Sequence, residues 1–157
     1  MITNDVLRSI RYMLDLSEPK IIEIAQLADA GFAIDRAEVQ AALKKEDEEG
    51  FAPCSDALLA HFLDGLIVQY RGRDTSMPPR PVEARVTNNV VLKKLRVAFE
   101  LKDVDMHAIF DAAGFPVSKP ELSALFRQPD HKNYRPCGDQ LLRNFLKGLT
   151  VRMRPDA

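Results

Sequence analysis

The sequence predicts an all-α protein built as a tandem duplication of a four-helix unit, with about eight helices in total. Apolar residues recur at steps of three and four, the spacing that places them on one face of a helix. No stretch alternates between apolar and polar residues over the length of a strand. A block that starts at residue 53 recurs 83 positions later, so the helical pattern is present twice. The two copies are expected to pack with pseudo-two-fold symmetry.

Two pairs of aligned segments define the duplication. PCSDALLAHFLDGL (53–66) and PCGDQLLRNFLKGL (136–149) are identical at nine of fourteen positions. Unrelated segments of average composition would share about one. Upstream, NDVLRSIRYMLDL (4–16) aligns with NVVLKKLRVAFEL (89–101) at an offset of 85 instead of 83. The first copy therefore holds two additional residues between its flanking helices.

The first two helices of each copy follow from apolar spacing. The first is expected over residues 4–16, with apolar side chains at three- and four-residue steps, and over the aligned residues of copy two. The second begins after Ser17, and Pro19 falls in its first turn, where a missing N–H loses no helical partner. A glycine, Gly31 in copy one and Gly114 in copy two, is expected to end this helix.

The third and fourth helices carry start signals. A capping box, in which two side chains satisfy free N–H groups reciprocally, is expected at the start of the third helix. The fourth helix follows a loop of nine or ten residues and begins near Asp56 or Asp139, either of which is expected to cap it. The capping-box patterns are Asp35-x-x-Glu38 in copy one and Ser118-x-x-Glu121 in copy two.

A glycine lies inside the fourth helix of each copy. Gly65 and Gly148 occupy positions where glycine costs about 1 kcal/mol relative to alanine. Gly65 shares the apolar face of Leu58 and Phe62, so its missing side chain permits close approach of another helix. We expect the two fourth helices, or each of them and a neighbouring helix, to cross at these glycines.

Prolines separate the two copies. Pro78, Pro79 and Pro81 disfavour a helix and favour an extended path. A copy of fewer than about 70 residues is marginally stable alone, so one shared core is expected. The predicted divisions are helical repeat one (1–70), a proline-rich linker (71–88) and helical repeat two (89–157).

Composition places the chain among ordinary globular proteins. Of its residues, 46% are hydrophobic and 29% are charged, which excludes disordered, collagen-like and disulfide-scaffold classes. No run reaches the roughly 18 apolar residues that span a membrane. Charged residues interrupt the N-terminus, so no signal peptide is indicated. With two cysteines and no export signal, a cytoplasmic location is expected, without cofactor or membrane partner.

The cysteines and histidines indicate structural roles. Cys54 and Cys137 lie at equivalent positions, and an Asp two residues after each disfavours a reactive thiolate. We interpret both as buried small hydrophobic residues. The histidines stand on different segments and match no zinc motif, so no metal site is predicted. His61 aligns with the polar Asn144 and is expected at the surface.

Charge is unequal between the two halves. Residues 1–80 hold nine basic and fourteen acidic side chains, net −5, whereas residues 81–157 hold thirteen and nine, net +4. A nucleic acid binds such basic surfaces through its phosphates. The total charge of −1 and the lack of interleaved aromatic residues argue against a dedicated binder. The basic residues that would carry this alternative are Lys93, Lys94 and Arg96 on the fifth helix and Arg143 and Lys147 on the eighth.

The loop before the fourth helix changes charge between the copies. It reads KKEDEEGFAPC (44–54) in copy one and RQPDHKNYRPC (127–137) in copy two. Carboxylates beside a histidine can support acid–base chemistry or ligand binding, although the spacing fits no established metal motif. A solvated, salt-bridged loop is the simpler interpretation. The candidate binding residues are Asp47, Glu48 and Glu49 in the first loop and Asp130, His131, Lys132 and Asn133 in the second.

Several long segments resemble a known family. They are NDVLRSIRYML, KKEDEEGF, LKKLRVAFELK and the PDHKNYR and CGDQ segments of copy two. These resemble the YehS-like family of bacterial proteins of unknown function, over essentially the whole chain. The resemblance implies a bacterial, all-helical protein of about this length. It implies no catalytic residues.

Three functions stay open from the sequence. The leading prediction is a non-enzymatic interaction or regulatory module with a protein partner, based on the repeat and the opposed loop charges. The first alternative is a nucleic-acid-binding protein that uses the basic second repeat. The second alternative is an enzyme or small-ligand binder at Asp47, Asp130 and His131.

Overall fold

The protein is all-α, as the sequence predicts. The computed structural model describes residues 3–73, 76 and 81–156. The chain divides into two compact units, Met1–Val86 (unit 1) and Thr87–Ala157 (unit 2). The described residues form eight helices and no strand. The helices are α1 (Thr3–Leu14), α2 (Glu18–Ala25), α3 (Arg36–Ala42), α4 (Asp56–Arg71), α5 (Asn88–Ala98), α6 (Asp103–Ala112), α7 (Lys119–Leu125) and α8 (Asp139–Met153).

Unit 1 is built around α4. This helix packs against α1 and α2, and α2 also packs against α3. The apolar stripe of α1 is buried, with Leu7 and Ile10 fully enclosed, because side chains three and four residues apart share one helix face. Phe62 on α4 is likewise fully buried. The core of unit 1 therefore follows the periodicity seen in the sequence.

Unit 2 is built around α8 in the same manner. This helix packs against α5 and α6. The rings of Phe110 on α6 and Phe145 on α8 lie 5.6 Å apart, inclined at 49°, and both are fully buried. Such tilted aromatic pairs are favourable beyond the area they bury.

Close helix packing at the two glycines is confirmed. A Cβ atom on Gly65 would lie 1.8 Å from the carbonyl oxygen of Ile24 on α2, and one on Gly148 would lie 2.0 Å from that of Ile109 on α6. Real Cβ atoms do not approach an oxygen so closely. Of the two arrangements expected, each fourth helix crosses a neighbouring helix of its own unit.

The ends of α2 and α6 differ, although one stop signal was expected for both. Gly114 ends α6 as expected: its φ is 71°, and the N–H of Phe115 donates to the Phe110 carbonyl at 3.0 Å. The expectation for Gly31 was wrong, because α2 already ends at Ala25. A separate turn follows, in which the Gly31 N–H donates to the Asp29 carboxylate at 3.0 Å.

The capping predictions are confirmed at one of two boxes. Ser118 and Glu121 exchange both hydrogen bonds of a capping box at α7. At α3, Asp35 accepts from the Ala37 N–H, but Glu38 accepts instead from the Ser55 hydroxyl at 3.3 Å. The Ser55 hydroxyl thus takes the place of the Asp35 backbone N–H, the partner that a capping box would give Glu38.

The expected caps of the fourth helices were wrong by one residue. Ser55 caps α4 by accepting from the Leu58 N–H at 3.1 Å, so Asp56 is the first helical residue. Gly138 stands at the equivalent position of α8, where no side-chain cap is present. The start of each helix is nevertheless at the Asp that was expected to mark it.

Part of the linker prediction lies outside the described residues. Pro78 and Pro79 belong to that part, whereas Pro81 lies in a non-helical stretch. Within the described ranges, no helix is long and apolar enough to cross a membrane. The shared core, the pseudo-two-fold packing and the domain boundaries remain predictions.

Candidate functional site

A buried asparagine fastens the base of the first loop, residues 44–54 (loop 1). Asn4 on α1 is 1% exposed. Its Nδ2 donates to the carbonyl oxygens of Ala42 at 3.0 Å and Ala52 at 2.9 Å. Its Oδ1 accepts the N–H of Cys54 at 2.9 Å. Because one amide satisfies three backbone groups, both ends of loop 1 are held against α1.

Asn89 on α5 forms the equivalent contacts with residues 127–137 (loop 2). Its Nδ2 donates to the carbonyl oxygens of Leu125 and Arg135, each at 3.0 Å. Its Oδ1 accepts the N–H of Cys137 at 2.7 Å. We call these two sets of contacts, centred on Asn4 and Asn89, the asparagine clamps.

Backbone bonds reinforce each clamp. In unit 1 the Ala52 N–H donates to the Ala41 carbonyl at 3.3 Å, and in unit 2 the Arg135 N–H donates to the Ala124 carbonyl at 3.1 Å. The base of each loop therefore has little freedom, because its polar groups are already hydrogen-bonded.

The tip of loop 1 is acidic and exposed. The Lys45 N–H donates to the Glu48 carboxylate at 3.0 Å, and the Lys44 ammonium donates to the Glu49 carbonyl at 2.9 Å. Asp47 is exposed between them. Four carboxylates and two lysines fall in residues 44–49, net −2.

The tip of loop 2 has the same backbone turn with basic side chains. The His131 N–H donates to the Gln128 carbonyl at 2.9 Å, as the Glu48 N–H does to Lys45 at 3.0 Å. The Asn133 N–H donates to His131 Nδ1 at 3.0 Å, and the Arg127 guanidinium lies 3.4 Å from His131 Nε2. Residues 127–135 hold three basic side chains and one acidic one, net +2 with histidine neutral.

The candidate residues of loop 2 lie in one exposed turn. Asp130, His131, Lys132 and Asn133 are all exposed. At the base of the loop, Arg135 pairs with Glu121. Hydrogen bonds from Arg135 and Ser118 lower the pKa of Glu121, so this carboxylate stays charged at neutral pH.

The structure offers little support for metal or thiol chemistry at these positions. Among the residues that the structure describes, no group of three or more His, Cys, Asp or Glu side chains is placed to hold a metal ion. Burial raises the pKa of Cys54 and Cys137 to about 12. The interpretation of both cysteines as buried small residues is confirmed.

The basic residues proposed for nucleic acid fall into two groups. Arg96 is engaged: its guanidinium lies 2.6 Å from the Asp103 carboxylate and 4.6 Å from the Phe126 ring centre. Lys94 is half-buried. The exposed members are Lys93 on α5 and Arg143 and Lys147 on α8.

The surface position expected for His61 was wrong. Its side chain is 12% exposed, and its ring stacks on Phe32 with 3.6 Å between ring centres. Alignment with Asn144 indicated only that both copies have a polar side chain at this position, which does not require exposure to solvent. The stacking partner lies 29 residues earlier and was not visible from that alignment.

The apolar periodicity of the sequence does not predict the clamps. Asn4 and Asn89 are identical in the aligned first helices, on a stripe otherwise filled by apolar residues. A polar residue retained on a buried face in both copies was the signal, because buried amides are kept where they satisfy backbone groups.

The fold and the loops define a protein of two four-helix units, each presenting a clamped, charged loop. Residues 3–72 and 88–154 match the model of the family described as "Protein of unknown function (DUF1456)", and the chain belongs to that family. It is 49% identical over 152 residues to the "Uncharacterized protein YehS" of Escherichia coli (strain K12), covering 97% of this chain and 96% of that protein. No solved structure shows a significant match to the chain.

Proposed function

We propose that this protein is a non-enzymatic interaction module whose two loops bind protein partners of opposite charge. One observation carries the proposal: matched clamps hold both loops at their bases, while their exposed tips differ in charge, −2 against +2. A loop that is already ordered loses less conformational entropy on binding. Complementary charge favours encounter with one kind of partner over another.

The chemistry of each tip indicates its partner. Asp47 and its neighbours in loop 1 supply carboxylates, which suit lysine- or arginine-rich surfaces. In loop 2, the exposed Arg127 and Lys132 supply charged donors, which suit acidic surfaces. The two units would then serve different partners with one scaffold.

Affinity capture with loop variants tests the proposal. The tagged full-length chain and two variants are exposed to the native lysate. The loop 1 variant carries Glu46→Gln, Asp47→Asn and Glu49→Gln, which keeps the structural Glu48, and the loop 2 variant carries Lys132→Gln. Exposed charges outside the loops provide matched controls, Glu83→Gln and Lys119→Gln.

The expected result is a partner that the wild type and the controls retain and that one loop variant loses. Retention of every partner by both loop variants would contradict the proposal. Raising the salt concentration should weaken capture, since the contact is between exposed charges.

Nucleic-acid binding is the second candidate, favoured by the exposure of Lys93, Arg143 and Lys147. A nuclease-treated half of each lysate separates the two. Loss of capture on nuclease treatment, with a steep decrease in affinity as salt increases, would favour nucleic acid over a protein partner.

A further inference from the structure

A histidine and an aspartate connect two elements of unit 1. His61 lies on α4, and its Nε2 is 3.6 Å from Oδ2 of Asp29. Its ring is parallel to that of Phe32, inclined by only 2° at a separation of 3.6 Å. Asp29 and Phe32 both belong to the stretch 26–35 between α2 and α3, which we call the α2–α3 segment. The ring of His61 therefore contacts this segment at two residues.

The two ring nitrogens of His61 have different neighbours. His61 Nδ1 lies 2.7 Å from the carbonyl oxygen of Ala57, and a carbonyl only accepts, so Nδ1 carries a proton. In the neutral ring Nε2 would then present a lone pair to the Asp29 carboxylate. Protonation converts Nε2 into a donor, and both ring nitrogens then face acceptors.

Several charged side chains on the two helices that pack against α4 have partners of their own. On α2, Lys20 and Glu23 lie 3.4 Å from each other, and Glu18 accepts from Gln40 at 3.1 Å. On α1, Arg8 lies 3.7 Å from Asp5.

Two further charged residues lie on or contact the same elements as the pair. Arg73 donates to the carbonyl of Leu27, in the α2–α3 segment itself. Asp64 lies on α4, three residues after His61. Asp29 is the carboxylate that faces Nε2 from the α2–α3 segment.

Unit 2 lacks both members of the pair. At the offset of 83, His61 corresponds to Asn144 and Asp29 to Ala112. The Asn144 side chain donates to the Gln140 carbonyl at 2.8 Å, so the bond to the helix carbonyl is kept by a group that does not titrate.

The two additional residues of copy one fall in the α2–α3 segment. Six residues separate Ile24 from Gly31, whereas four separate Ile109 from Gly114. In unit 2, α6 continues to Ala112 and ends in a regular hydrogen-bonded cap. The longer, non-helical connection of unit 1 coincides with the histidine and the aspartate.

We propose that His61 and Asp29 form a pH-responsive latch that holds the α2–α3 segment on α4. Imidazole is the side chain that ordinarily changes charge between pH 5 and 8. When the ring is protonated, its positive charge faces the Asp29 carboxylate across 3.6 Å, and this ion pair holds the segment. Without the proton the ion pair is lost and the segment opens more often, so the segment should be better protected at low pH than at high pH.

Amide hydrogen exchange of the full chain at pH 6 and pH 8 tests the latch, with rates corrected for intrinsic exchange. In the wild type, amides of the α2–α3 segment should lose about two- to fivefold of their protection at pH 8, the range of an exposed ion pair. In Asp29→Asn and in His61→Asn this loss should vanish. Asp29 is 53% exposed, and an Asn there retains an acceptor for Gly31, so the variant keeps the local turn.

Unit 2 provides the matched control. Asn144→His places an imidazole on α8 where the offset of 83 puts Ala112 in place of the aspartate. The segment after α6 should show no pH-dependent loss of protection in this variant. A wild-type loss that persists in Asp29→Asn, or an equal loss in the segment after α6, would overturn the proposal.

Discussion

Unit 1 and unit 2 share their asparagine clamps and helix crossings and differ at their loop tips. The hydrogen bond from the loop cysteine to the clamp measures 2.9 Å in one unit and 2.7 Å in the other. The helix crossings are equally close. The loop tips, by contrast, have opposite charge, and the His61–Asp29 pair occurs in unit 1 alone among the aligned positions. The clamps and the helix crossings are common to both units, while the charges of the loop tips are not.

The glycine crossings provide the most severe test of that comparison. Gly65→Ala and Gly148→Ala should each destabilise the protein by about 3 kcal/mol, because the new methyl group meets a backbone oxygen that cannot move aside. The gain in helix propensity of about 1 kcal/mol offsets only part of this. Urea unfolding followed by circular dichroism measures the change.

Gly31→Ala is the control for the crossings, since its nearest neighbour, at 3.4 Å, is an ordinary contact. Its effect should stay within about 0.5 kcal/mol. If Gly65→Ala and Gly148→Ala differ widely, the two crossings are not equivalent.

Removing the clamps should give the next largest loss of stability, and the loss should be larger in unit 1 than in unit 2. Asn4→Ala leaves three backbone groups without a partner at a site that is 1% exposed, so a loss of about 2 to 3 kcal/mol is expected. Asn89 is half-buried, and water can replace part of its bonding, so Asn89→Ala should cost about 1 kcal/mol. Denaturant midpoints measure both, and a reversed order would show that burial does not set the cost.

The contacts of Arg96 should give a smaller difference in stability between the units. Arg96→Ala removes the pair with Asp103 and the contact with the Phe126 ring, for a loss of about 1 kcal/mol. The aligned Arg11 is exposed, so Arg11→Ala should change stability little. Thermal melts of the two variants in low and high salt provide the measurement. Equal effects would remove this difference between the units.

The smallest expected effect concerns the start of α8. Gly138→Ser would introduce the hydroxyl cap that Ser55 supplies to α4, and no atom lies within 4 Å of the new Cβ position. A gain of a few tenths, about 0.3 kcal/mol, is expected from the serine cap. The melting temperature should rise slightly. A decrease would contradict a capping role for a hydroxyl at this position.

The sequence predicts the fold well because the fold depends on local patterns. Helix periodicity and glycines on apolar faces are visible within a few residues of chain. The early end of α2 and the burial of His61 depend on residues of other elements, such as Phe32, so no local pattern shows them. Most of the capping depends on single hydroxyls, and Ser55 was overlooked beside the acidic Asp56.

The sequence predicts where the candidate loops lie, but it does not predict the asparagine clamps that hold them. The charges of loop 1 and loop 2 are evident from composition. The partners of Asn4 lie 38 to 50 residues away along the chain. Because every residue has a backbone carbonyl, no sequence pattern identifies the ones that Asn4 contacts. Only the identity of the two asparagines in the aligned copies indicated a shared constraint.

The clamps also bear on the order in which the two units fold during synthesis. Asn4 emerges at the start of unit 1, and its last partner, Cys54, follows 50 residues later; for Asn89 and Cys137 the separation is 48 residues. Domains generally fold as they leave the ribosome, N-terminal first. Loop 1 can therefore be secured before unit 2 has left the ribosome. Each clamp is complete only after its own cysteine has emerged.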